Sequence, residues 1–200
     1  MTTSTTRDLN ALLGSRICHD LISPLGAIGN GIELLSMSGL SAAPEIALIA
    51  ESVENANARI RFFRVAFGAA SPGQVLARSE ILSILGDLAK GARIEIEWQP
   101  SGAVARAEAK LAFLLLQCVE TALPWGGRVL VSQTDACWHI HARADRTKDA
   151  PELWRLLRGA EAAETISSAD VHFALAHEAA AQIGRTIRAE VTDGSVQISF

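Results

Sequence analysis

Apolar residues in the first third of the chain recur at helical spacing. Leu13, Ile17, Leu21, Leu25, Ile28, Ile32 and Leu35 gather into one arc when each residue advances about 100 degrees, which predicts a helix over about 7–35. Small and polar residues then interrupt the pattern at 36–44, SMSGLSAAP, with Gly39 and a proline suited to a helix start. A second helix is predicted over about 44–68, so the two form an antiparallel helical hairpin. The Pro, Gly and Ser of AASPGQ, 69–74, read as a linker. A boundary there divides the chain into 1–70, a helical hairpin, and 75–200.

The second region mixes both periods. A helix is predicted near 79–90, capped by Ser79 and stopped by Gly91, followed by RIEIEWQ, 93–99, which alternates as a strand. A helix near 105–123 leads through a turn at 124–127 into strands at 128–133 and 137–143, read as a hairpin pair. Helices near 151–157 and 169–183 follow, the latter stopped by Gly184. Strands at 186–191 and 195–200, joined at Asp193-Gly194, close the chain. The class expected is α+β.

Composition narrows the range of functions. With 49% apolar and 20% charged residues in 200, the chain can bury enough surface to fold, which excludes general disorder. Eighteen basic against 22 acidic residues, a formal charge of −4, argues against nucleic acid as partner. Cys18, Cys118 and Cys137 contain no CxxC spacing and read as reduced thiols. The most apolar run, 111–119, is interrupted by Gln117 and falls short of the roughly 20 residues of a membrane helix. Residues 1–6 are polar and carry no secretory pattern, so no membrane partner and a cytoplasmic location are expected.

Candidate chemistry begins with His19, nearly opposite the apolar arc of the first helix. Ser23, Gly26 and Asn30 share its face, a polar strip with a small residue where another backbone can approach. An exposed imidazole with an ordinary pKa near 6.5 is largely neutral at cytoplasmic pH, and its free ring nitrogen is a nucleophile toward phosphorus. A merely solvated histidine satisfies the same wheel. Pro24, inside the helical pattern, removes a donor and loosens the turn after His19. Counting outward equally from a turn near residue 41 sets residue 63 level with His19, so Arg59, Arg61 and Arg64 flank it, as partner contacts or as a solvated basic edge. His139 and His141 share one face of a predicted strand, but no third metal ligand is near in sequence. His172 and His177 do not share a helix face.

The run Cys18-His19-Asp20-Leu21-Ile22-Ser23-Pro24-Leu25-Gly26-Ala27-Ile28-Gly29-Asn30-Gly31-Ile32-Glu33-Leu34-Leu35 resembles the phosphoacceptor box of dimerisation and histidine phosphotransfer domains. It is most similar to the ChpT-type histidine phosphotransferases of alphaproteobacteria, whose box reads HDLxSPxGAxxNGxELL. The resemblance implies that His19 is the phosphorylated residue and that Asp20 orients or deprotonates its imidazole. Ser23, Gly26 and Asn30 match as well and are expected, with Arg59, Arg61 and Arg64, to meet the partner.

The resemblance continues, more weakly, into the second region. Ala122-Leu123-Pro124-Trp125-Gly126-Gly127 is similar to an ALPxGG turn, and 173–187 is similar to the helix-Gly-strand near the end of a kinase-like ATPase domain. Leu114 and Cys118 stand where magnesium-binding asparagines are expected, and 142–149 lacks the glycine of an adenine-binding box. The implied domain is a histidine-kinase-ATPase-like α/β sandwich that has lost its nucleotide chemistry and serves docking.

The implied function is a phosphorelay intermediate that passes a phosphoryl group between receiver-domain aspartates through His19. Expected partners are the receiver domains of a hybrid sensor kinase and of response regulators. No cofactor is implied for this chain, and Mg²⁺ is expected on the receiver. One hairpin exposes too wide an apolar stripe, so a homodimer joined through a four-helix bundle is expected. An active sensor histidine kinase and a non-catalytic receiver-binding scaffold are the alternatives.

Overall fold

A computed structural model of the chain describes residues 17, 20, 21, 24, 26–28, 30, 31, 34, 43–90, 92–134, 137–148, 150–159 and 166–200. The described positions of 17–34 are all α-helical, Pro24 included, and constitute α1. The other helices are α2 (Ala43–Ala66), α3 (Arg78–Ala89), α4 (Arg106–Ala122), α5 (Pro151–Leu156) and α6 (Val171–Gln182). The strands are β1 (Val75–Leu76), β2 (Ile94–Trp98), β3 (Val104–Ala105), β4 (Gly127–Thr134), β5 (Cys137–Arg143), β6 (Arg188–Thr192) and β7 (Ser195–Ser199). No helix among the described residues is long and apolar enough to cross a membrane.

Five strands form one sheet in the order β2-β4-β5-β7-β6, and its architecture is α+β. β2 and β4 run parallel, which requires a crossover, and α4 supplies it; the remaining neighbours pair antiparallel. Alternation along each strand sorts the faces. Val129, Val131, Trp138, Ile140, Val196 and Ile198 point into the core, while Arg128, His139, Arg143 and Gln197 lie exposed on the other face. α4 is buried along its whole middle, from Leu111 to Val119. Phe113 on α4 stands edge-on to Trp98, with ring centroids 6.4 Å apart, and Trp98, Trp138 and Phe200 continue the aromatic layer across the sheet.

The turns use residues suited to them. Gly126 has φ +102°, and a Cβ there would run into the Arg93 carbonyl, which accepts the Gly127 N–H at 3.1 Å. Gly194, at φ +74°, closes the β6–β7 hairpin.

Two local expectations need correction. Ser79 does not cap its helix: α3 begins at Arg78 behind Ala77, and no side chain bonds the cap. The strand expected over 186–191 is displaced to Arg188–Thr192, because Ile187 turns into the core before the ladder starts. Just after the AASPGQ stretch, Val75–Leu76 pairs antiparallel with Val104–Ala105, and the Arg106 N–H donates to the Gln74 carbonyl at 2.8 Å.

α2 also packs against α3 and α4. Phe62 stacks on Phe113 with centroids 4.8 Å apart, and Phe63, Val65 and Ala66 share the core with α4 and the sheet. The C-terminal end of α2 leaves carbonyls without helical partners. The Arg106 guanidinium meets those of Val65, at 2.7 Å, and Arg64, while Lys110 Nζ reaches the Gly68 carbonyl at 3.0 Å. Burial lowers the pKa of both cations, Lys110 additionally under the charge of Arg106.

Candidate functional site

The described residues of the stretch that resembles a phosphoacceptor box lie on α1, and His19, Cys18 and Ser23 fall outside the described residues. Gly26 and Asn30 of the polar strip are exposed, while Ile17, Leu21 and Ile28 of the apolar arc are half-buried. One strip of α1 therefore faces solvent and another faces protein, as a helix with clustered apolar positions requires.

Asp20 turns inward. Its side chain is 9% exposed, and its Oδ2 stands 3.9 Å from Nη1 of Arg59 on α2. Equal counting from residue 41 sets Phe62 opposite Asp20; the ion pair places Arg59 there, about one helical turn earlier in α2. Beside this pair opens a cleft of about 420 Å³, lined by Asp20 and Pro24 from α1, Asn55 and Arg59 from α2, and Lys90 and Ala92 beyond α3. Lys90 Nζ meets Asp87 Oδ1 at 3.1 Å; that hydrogen bond, then the charges of Asp87 and Glu54, raise the lysine pKa.

The three arginines have different surroundings. Arg59 lies between Asp20 and Glu120 of α4, donating from Nη2 to Glu120 Oε1 at 3.3 Å. Arg61 is bound to α3, with Nη1 2.6 Å from Asp87 Oδ2 and Nη2 3.0 Å from Ser83 Oγ. Arg64 is exposed, and its backbone carbonyl receives Arg106. The fold thus brings Asp20 and Arg59 together and directs Arg61 toward α3.

Glu120, Asn55 and Lys90 were not singled out in the sequence. For Glu120 a faint signal exists: it is the first charged residue after the apolar run of α4, where a buried helix reaches its edge. The separation of 61 positions between Arg59 and Glu120 leaves no periodic trace of their pairing.

The other candidates occupy definite places. Leu114 and Cys118 are fully buried in the core, and burial pushes the Cys118 thiol well above its ordinary pKa. Cys118 and Cys137 are free thiols. His139 and His141 share the open face of the sheet, and His141 stands across the ladder from Gln197. His172 is buried, with its Nε2 3.1 Å from Thr121 Oγ1, and His177 Nδ1 lies 3.2 Å from the Leu157 carbonyl. Among the described residues no group of three or more His, Cys, Asp and Glu is placed to hold a metal ion.

Residues 78–195 match the family model described as the histidine phosphotransferase C-terminal domain. The protein phosphotransferase ChpT of Brucella abortus (strain 2308) is 35% identical over 193 residues, which cover 92% of each protein. A bacterial phosphotransferase of known structure superposes with a TM-score of 0.82 at 31% identity, covering 99% of this chain and 98% of that one. The histidine kinase AdeS of Acinetobacter baumannii, at 10% identity, gives a TM-score of 0.47 over 90% of this chain and 95% of that one. With 35% identity over 92% of the chain, and the family domain matched over most of the second region, the chain belongs to the ChpT-type histidine phosphotransferases of the phosphorelay.

Proposed function

We propose that His19 carries the phosphoryl group between receiver domains. A nitrogen of the neutral imidazole attacks the phosphorus of a receiver's aspartyl phosphate. The P–O bond to that aspartate breaks, its carboxylate leaves with the electron pair, and the ring's N–H proton passes to a base. In the second half the phosphorus moves from the ring to the aspartate of another receiver, and the imidazole recovers a proton. Each receiver supplies the Mg²⁺ that stabilises charge on the transferring group, so this chain's task is to present and orient the nucleophile. Asp20, next to the nucleophile in sequence, is the group assigned to orient the ring or take its proton. Gly26, Asn30 and Ser23 meet the receiver, whose sources are a hybrid sensor kinase and response regulators.

The observation that carries this reading is the arrangement of the α1 box: Gly26 and Asn30 face solvent while Asp20 points inward to Arg59. A homodimer belongs to the same reading. Leu34, Leu48, Val53 and Ile60 are between 39% and 48% exposed, an apolar surface on the hairpin that a second copy would cover as a four-helix bundle. No nucleotide enters the scheme, because Leu114 and Cys118 offer apolar core where a kinase-like domain uses asparagines. The setting is the cytoplasm, where phosphorylated receivers are present.

Incubation with a radiolabelled phospho-receiver tests the reading. Label should pass to the wild-type protein and not to His19→Ala, which should keep its circular dichroism. Label on His19→Ala would overturn the assignment, label from ATP alone would make the protein a kinase, and receiver binding without label would make it a scaffold.

A further inference from the structure

Arg59 offers two guanidinium nitrogens to two carboxylates that come from different parts of the fold. Nη2 donates to Glu120 Oε1 at 3.3 Å, within hydrogen-bond reach. Nη1 stands 3.9 Å from Asp20 Oδ2, an ion pair beyond hydrogen-bond reach. The guanidinium is a rigid planar fork, so holding one nitrogen fixes where the other points. Glu120 has a firm base for this, in the last turn of α4 beside the fully buried Gln117, Cys118 and Val119. Arg59 itself is only about one-third exposed, so it swings less freely than a surface arginine.

We infer that Glu120 is a positioning residue for phosphotransfer: it holds Arg59 toward α4 and thereby sets how Asp20 is engaged. The inference rests on the phosphotransfer reading and deepens it. With Glu120 in place, the Arg59 cation is held 3.9 Å from Asp20 Oδ2 rather than closed onto it, and this spacing is one of the contacts that set the carboxylate's orientation. Without it, the fork is released to close fully on Asp20 or to swing into the cleft, and either movement displaces the carboxylate from its working orientation. Transfer depends steeply on such placement, since misplacement by about 1 Å costs as much as about a hundredfold in rate. The link also gives the second region an input to the chemistry that needs no nucleotide: α4 acts on the α1 box through one side chain of α2. Arg59 is then more than a docking cation, and the two roles separate kinetically. A docking cation affects encounter; a positioning pair affects the rate within the complex.

Single-turnover transfer from a phospho-receiver, as a function of receiver concentration, is the test. Glu120→Ala should lower the maximal rate about tenfold with the half-saturating receiver concentration unchanged, and Glu120→Gln, which keeps an acceptor oxygen at the same reach, should recover part of the loss. Arg59→Ala combined with Glu120→Ala should be no slower than Arg59→Ala alone, because the two act as a unit. A raised half-saturating concentration at full maximal rate, or additive losses, would overturn the inference. A second readout needs no transfer. The Arg59 Nε–H signal in nitrogen-15 NMR of the unphosphorylated protein should shift and broaden in Glu120→Ala, and an unchanged signal would refute the link. Were wild-type protein to accept no label, the phosphotransfer reading would fall, while this signal would still decide whether Glu120 holds Arg59.

Discussion

The two regions treat apolar surface in opposite ways. In the C-terminal domain Phe113, Leu114, Leu115 and Trp138 are wholly buried, and the sheet turns its charged and imidazole side chains to the open face. On the hairpin, Leu34, Leu48, Val53 and Ile60 keep more than a third of their surface in water. A domain that closes its core derives stability from within, whereas a hairpin with an open stripe derives part of it from whatever covers the stripe. The region that holds the proposed nucleophile is thus the one whose apolar stripe stays open. The better-packed region holds it from behind, through Phe62 on Phe113 and through Arg59 on Glu120.

The comparison would break most visibly in the core. Phe113→Ala removes a buried ring that stacks on Phe62 and stands edge-on to Trp98, and deletions of this kind cost about 3–5 kcal/mol. Both regions should lose stability together, because the ring belongs to both. Thermal melting followed at near- and far-ultraviolet wavelengths should show one transition moved down by roughly 6–20 °C, the range expected from that loss in a chain of this size. A helical signal that melts at its original temperature would show that α2 does not depend on α4.

A smaller effect on folding and a larger one on assembly is expected at the stripe. Val53→Asp with Ile60→Asp places two charges on the exposed face of α2, 41% and 42% accessible in the single chain. Neither side chain fills the core, so the loss within one chain should be below about 1 kcal/mol. In a dimer the same carboxylates would be buried unpaired, which costs several kcal/mol. Sedimentation at micromolar concentration should therefore show wild type as a dimer and the variant as a folded monomer. A wild-type monomer would mean that the stripe is covered by something other than a second copy.

How much of this was legible in the sequence depends on how local the cause is. RIEIEWQ and CWHIHAR alternate because one face of their sheet is open, and the strands Ile94–Trp98 and Cys137–Arg143 lie where alternation puts them. α4 was equally plain, since its apolar run is buried all round and bounded by charged ends. The pairing of Val75–Leu76 with Val104–Ala105 left no mark, because two residues contain no period. Ser79 misled because a good capping residue is not used when the chain enters the helix one step earlier. At the site, the box on α1 was readable as a motif, and Arg59 as one of three arginines. What distinguishes Arg59 from Arg61 is the acid each meets, Glu120 on α4 or Asp87 on α3, and that follows from packing between segments far apart in sequence.

The least effect is expected where the two regions meet in solvent. Asp87 receives Lys90 at 3.1 Å and Arg61 at 2.6 Å, and it joins α3 to α2. The hydrogen bond from Lys90, helped by the charges of Lys90 and Arg61, holds its carboxyl below the usual value for an aspartate. A carboxyl depressed in the folded state contributes stability that is complete above its unfolded pKa, about 3.9, and is lost as pH falls through the lower folded value. Wild type and Asp87→Asn should therefore differ by a constant amount from pH 7 down to about pH 4, and the difference should vanish in stronger acid. The group is exposed and screened, so the shift in melting temperature should not exceed about 2 °C and should shrink in 0.5 M salt. If Asp87→Asn instead slowed transfer as much as loss of Glu120 does, the seam at Arg61 would matter to the chemistry as the one at Arg59 does. The contrast between an arginine that positions and one that only joins two helices would then collapse.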